Sequence, residues 1–168
     1  MAATGRRSDD SRWLSRGSGF SRRGNAGRGR ANSGPLPMLA ILKVIAWSER
    51  HTTAPRKDAA DLLLILKSYL DAGNQQRLYD EAAHLLDQND FDYERAGAWL
   101  AGQDAAAAIQ GDGAKQTPVH QRISTILTKE VDPDGRLRLI GEIGGRGAEN
   151  IRLLLAAFLR GFNGEQAP

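Results

Sequence analysis

Cysteine is absent from this chain of 168 residues. That excludes disulfide staples and thiolate metal sites, and it fits a reducing, cytoplasmic setting. No hydrophobic run is long. The longest, Leu36–Trp47, covers a dozen residues, against the ~20 that a membrane-crossing helix needs. No stretch alternates apolar and polar residues over more than a few positions, which excludes a half-buried sheet as the main architecture. Histidines are few, and His51, His84 and His120 have no ligand spacing. They read as ordinary surface or helix-end residues.

What is present is ordinary in bulk and uneven in distribution. Hydrophobic residues make up 40% and charged residues 26%, the values of a globular domain with room for a core. The net charge of +3 hides a split. Residues 1–37 hold eight Arg against Asp9 and Asp10, a net of +6. The remainder holds 15 basic against 18 acidic residues, a net of −3. The basic character thus belongs to the tail. A folded nucleic-acid reader should carry it on its body.

The tail is rich in Gly, Ser and Arg, shows no period of 2 or 3.6, and reads as disordered. Its "SRRGNAGRGR" is similar to RGG-type segments, which bind single strands by charge and Arg stacking. The tail offers only Trp13 and Phe20 for interleaving. A nucleic-acid-binding module is therefore the alternative reading. Arg22-Arg23 before an apolar run mimics an export signal. Lys43 interrupts that run, however, and no small-residue cleavage site follows.

From Met38 the text turns helical. Apolar spacing and punctuation predict helices over about 36–50, 55–72, 74–88, 91–109, 118–130 and 147–161. The expected fold class is all-α, an irregular array of about six helices over 38–168. Pro55 opens the second helix and Gly73 closes it. Its Ala59, Leu62, Leu63, Leu66 and Leu70 share one face. Asn74 is the expected N-cap of the third helix. "GDGAKQTP" reads as a loop, and Asp134-Gly135 as a turn. "GEIGGRG" (141–147) also reads as a loop. It follows no strand and lacks the terminal Lys-Ser/Thr of a phosphate loop. Trp47 and Trp99 read as core.

One residue in the apolar first helix is out of place. Eleven of the twelve residues in "LPMLAILKVIAW" are apolar or Pro, and the twelfth is Lys43. On a wheel of 100° per residue, Lys43 stands beside Leu39, Ala46 and Trp47. Either it snorkels to water, or an anion meets it. On the second helix Asp58 and Asp61 lie one turn apart, in the first two turns. There they favour the helix dipole, and they are also within range of a neighbour.

The stretch that begins here resembles a known family. "LPMLAILKVIAWSERHTTAPRKDAADLLLILKSYL" and its continuation to about residue 160 are similar to the C-terminal half of bacterial AbiEii/AbiGii-type nucleotidyltransferases, of the DNA polymerase β-like superfamily. The sharpest part is Lys43, Ala46, Trp47 and Arg50, followed by "RKDAADL" at 56–62. The resemblance implies that Lys43 reaches the phosphates of a nucleoside triphosphate and that Asp58 lies at the same cleft. These two are the candidate catalytic residues, with Arg50, Lys57 and Asp61 lining the cleft. An intact family member uses Mg²⁺ and transfers a nucleoside monophosphate to RNA or protein. The expected partners are therefore a nucleoside triphosphate and either a separate catalytic half or an antitoxin.

The family's G-S-x-x-x-x-D-x-D motif is missing. Gly17-Ser18 is followed by no Asp pair, and Asp9-Asp10 lack a preceding Gly-Ser. A Gly/Arg/Ser stretch stands where the metal-binding half would be. Such text is typical of an out-of-frame reading, with Met38 as an alternative start. The sequence therefore predicts a truncated, nucleotidyltransferase-like chain that keeps the phosphate grip, has no metal ligands of its own, and is inactive alone.

Overall fold

The computed structural model describes Met1 and residues 35–50, 55–110, 117–135, 138–143 and 147–167. The tail from residue 2 to residue 34 and His51 lie outside the described residues. All described helices belong to the unit Ala31–Pro168.

Among the described residues the architecture is all-helical. It consists of α1 (Leu36–Arg50), α2 (Pro55–Ser68), a π-helical turn (Leu70–Asn74), α3 (Gln75–Asp80), α4 (Ala83–Leu86), α5 (Tyr93–Gln110), α6 (Pro118–Val131), α7 (Arg138–Ile143) and α8 (Ala148–Asn163). None of these helices is long and apolar enough to cross a membrane.

The centre of the unit is the pair α5–α8, the most extensively packed of all helix pairs. Composition explains why. α5 buries Ala96, Ala98, Ala101, Ala105 and Ala106, so little side chain separates its backbone from a neighbour. At the crossing, Gly102 faces Gly161. A Cβ on Gly102 would run into the Phe158 carbonyl, and one on Gly161 into the Trp99 carbonyl. Two helices meet backbone to backbone only where both lack that atom. The strongly amphipathic α8 supplies Leu154, Leu155, Phe158 and Phe162 to the core. It ends at Gly164, whose positive φ of 74° allows Glu165 N–H to bond Arg160 O and Gly164 N–H to bond Gly161 O.

The helices α1 and α2 lie against this centre and against each other. Ala40, Ile41, Val44 and Trp47 point inward from α1, and Ala59, Leu62, Ile65 and Leu66 from α2. The Trp47 indole N–H also donates to Glu142 of α7 at 2.5 Å. Thr117 caps α6 by accepting from His120 N–H, with Pro118 at the first helical position.

Several boundaries differ from expectation. The helix expected over 55–72 leaves α geometry at Ala72–Gly73, where Gly73 takes φ +98°. Asn74 makes no side-chain cap. Its Nδ2 donates to Tyr69 O instead, closing the π turn. The single helix expected over 74–88 is two short ones, α3 and α4, broken at Glu81–Ala82. The "loop" at 141–147 begins as the second half of α7, held by burial of Leu139 and Ile140. Asp132–Gly135 is a turn, closed by Gly135 N–H to Asp132 O. His120 is a core residue rather than a surface one. It is buried, stacked on Phe162 at 4.4 Å and bonded through Nε2 to Phe162 O.

Candidate functional site

The two ordinary reasons for a cation in an apolar helix were exposure and pairing. The structure shows pairing. Lys43 Nζ donates to Asp58 Oδ1 at 3.0 Å and to Asp61 Oδ2 at 2.5 Å. Helix geometry sets this up. Asp58 and Asp61 differ by one turn and share the α2 edge that faces α1, so one ammonium group spans both. The two bonds, Asp61 first, hold the Lys43 ammonium above its ordinary range and outweigh the cost of burial.

Asp58 is the pivot. It is buried, and its second oxygen accepts from Arg50 Nη2 at 3.0 Å. Arg50 lies two turns after Lys43 on α1, so both donors reach Asp58 from one helix. Their exposures are graded. The Lys43 side chain is 20% exposed, Asp61 38% and Arg50 60%, whereas Asp58 is 6%. The cluster is thus closed at Asp58 and open at Arg50 and Asp61. It carries two positive and two negative charges, so it is locally neutral. An incoming phosphate would compete with the internal carboxylates for these cations.

Of the five residues singled out from sequence, four meet here: Lys43, Arg50, Asp58 and Asp61. Lys57 does not. It is exposed on the outer side of α2 and takes no part in these bonds. The Mg²⁺ that the resemblance implies does not fit these residues. Both oxygens of Asp58 and one of Asp61 are engaged by cations, and the described residues hold no group of three or more potential metal-ligating side chains. What remains is charge chemistry: a point-charge lysine suited to a phosphate, backed by a guanidinium.

Sequence reasoning passed over a second polar cluster. Arg77 of α3 grips Glu81 through two bonds of 2.8 Å, and it also bonds Asp104 of α5 and the Tyr69 hydroxyl. Tyr69 in turn donates to Asp104. Arg77 is buried, and Glu81 and Asp104 raise its pKa. The spacing of Arg77 and Glu81 was a visible signal. Asp104, a lone carboxylate before an Ala run, was another. The cluster fastens α3 to α5. No family model, curated protein or solved structure matches the chain.

Proposed function

We propose that the Lys43–Arg50–Asp58–Asp61 cluster is a phosphate grip for a nucleoside triphosphate, carried on the helical part of a nucleotidyltransferase-like protein. One observation carries this reading. The cation in the most apolar helix is neither buried alone nor free; it sits between two carboxylates at the rim, with a second cation beside it. A triphosphate takes over Lys43 by displacing the more exposed Asp61, while Asp58 stays held by Arg50. The apolar walls strengthen the new attraction. The resemblance of Lys43, Ala46, Trp47, Arg50 and the following "RKDAADL" to the family supports the same assignment.

In this reading the chain binds and does not transfer. Nucleotidyl transfer needs paired metal carboxylates to align the attacking hydroxyl with the α-phosphate, and the sequence has no G-S-x-x-x-x-D-x-D motif. A separate catalytic half is the partner that completes the reaction. The test is calorimetric titration of nucleoside triphosphates into the wild type and Lys43→Met. Binding that is lost in Lys43→Met supports the grip. Equal affinity in both overturns it.

A further inference from the structure

The outer face of α2 is apolar at its centre and charged at both ends, and nothing described covers it. Leu64 is 66% exposed. Lys57, Ala60 and Asp71 are exposed on the same stripe, and Asp61, Lys67 and Ser68 are half-exposed. Tyr69 keeps α dihedrals and the first non-helical dihedrals are those of Ala72, so Asp71, exposed in the π turn, extends the stripe. On α1, Leu39 lies one turn before Lys43. Leu39 and Leu42 of α1 are 38% and 54% exposed.

The charges around Leu64 have a particular order. In an antiparallel two-fold pairing centred on Leu64, each residue faces the one equally far on the other side. Lys57 then faces Asp71 of the second copy, and Asp61 faces Lys67. Ala60 faces Ser68, which leaves small side chains where the helices approach. The outer position pairs opposite charges, Lys57 with Asp71, the inner one sets Asp61 with its Lys43 against Lys67 with its Glu94, and Leu64 packs on itself.

The plainer account is that Lys57–Asp61 and Lys67–Asp71 are pairs within one helix, four residues apart. The structure does not form them. Asp61 turns to Lys43, Lys67 to Glu94 of α5 at 3.1 Å, and Asp71 accepts from the Tyr93 hydroxyl.

We infer that the outer face of α2 is a self-association surface, on which a second copy of this chain docks antiparallel about Leu64, with Lys57 of each copy against Asp71 of the other. An isologous contact of this kind needs only one self-complementary patch. The inference shares only Asp61 with the triphosphate reading, and its test leaves Lys43, Arg50, Asp58 and Asp61 unchanged.

Sedimentation equilibrium of the full chain decides it. The wild type is expected to dimerise with a Kd of roughly micromolar order, a small interface with charged flanks. Leu64→Glu should weaken the dimer by about 100-fold or more, as a buried central contact becomes a buried charge. Lys57→Glu and Asp71→Lys, each alone, set like charges face to face at both ends and should weaken it about tenfold. Mixed in equal amounts, these two variants form a heterodimer in which both ends are again opposite in sign, and wild-type affinity should return. That rescue also shows that neither variant is misfolded. A chain still monomeric at roughly 100 µM, far above the affinity of a specific interface, overturns the inference. So does a dimer indifferent to Leu64→Glu, or a mixture no tighter than its components.

Discussion

Lys43 of α1 donates to Asp58 of α2 at 3.0 Å, and Asp58 is the buried partner of the two. The most apolar helix of the chain is therefore fastened to the next one by an ion pair at the edge of the core. The pair is unequal. Lys43 has a second carboxylate in Asp61, and Asp58 has a second cation in Arg50. Asp58→Ala strips two cations of their shared buried anion, whereas Lys43→Met leaves Asp58 bonded to Arg50. Asp58→Ala should cost about 1–3 kcal/mol and Lys43→Met under about 1 kcal/mol, since its cation is partly solvated. Urea unfolding of both variants checks the order, and a costlier Lys43→Met would contradict it.

Glu130 of α6 accepts the Leu139 N–H at the start of α7 at 2.8 Å. Burial raises its pKa from the ordinary 4.5, and Glu142 adds to this, against the bonds from Leu139 and Arg138 and the Arg138 charge. A carboxyl raised on folding binds its proton more tightly in the native state. Its contribution to stability is therefore present below pH 4.5 and is lost as pH rises through the folded-state value. Glu130→Gln keeps an acceptor for Leu139 and removes the titration. Between pH 4 and pH 7, roughly the span above an ordinary Glu pKa, the wild type should lose stability relative to Glu130→Gln. Parallel stability–pH curves would refute this.

The Arg77–Glu81–Asp104–Tyr69 cluster joins α3 to α5 with little exposure at Arg77 (9%) and Asp104 (13%). Removing one partner leaves the other charged and buried. Arg77→Met is expected to cost ~3–5 kcal/mol. In Arg77→Met with Asp104→Leu both charges are gone, so the double variant should be more stable than Arg77→Met alone. Thermal unfolding of the two decides it; equal or lower stability of the double variant would show that the carboxylate is not left stranded.

Gly161 gives α8 its closest approach to α5, and the Trp99 carbonyl occupies the place of a side chain. Gly161→Ala forces the helices apart along a crossing made of alanines. Overpacking of this kind costs ~1–3 kcal/mol or more, despite the better helix propensity of Ala. Leu66→Ala, at a fully buried position of α2, should cost ~2–5 kcal/mol. An unchanged melting temperature in Gly161→Ala would show that the crossing is looser than its backbone contacts imply.

What the sequence determined is the local part. Periodic apolar residues, Pro55, Pro118 and the Asp134-Gly135 turn fix where the chain is helical and where it bends, because those preferences act over one or two turns. The pairing of Lys43 was legible for the same reason. A lysine amid apolar residues needs an anion, and two aspartates one turn apart on the next helix were the nearest supply. Spacing alone left open whether Lys43 took one carboxylate or both. It also left open which way Lys57 turns; next to Asp58 in sequence but 100° round the wheel, it faces away from them.

Only the tertiary structure decided the rest. His120 looked like a surface residue because no local rule distinguishes a solvated imidazole from one stacked on Phe162, 42 residues later. Residues 138–143 form a helix despite Gly141, because Leu139 and Ile140 are buried against helices distant in sequence and Glu130 caps the first turn. The third helix splits at Glu81–Ala82 and Asn74 serves inside the π turn, beside an Arg77 that is held by Asp104 from 27 residues away. Each of these depends on a contact whose energy is set by burial, and burial is a property of the packed unit rather than of any window of the chain.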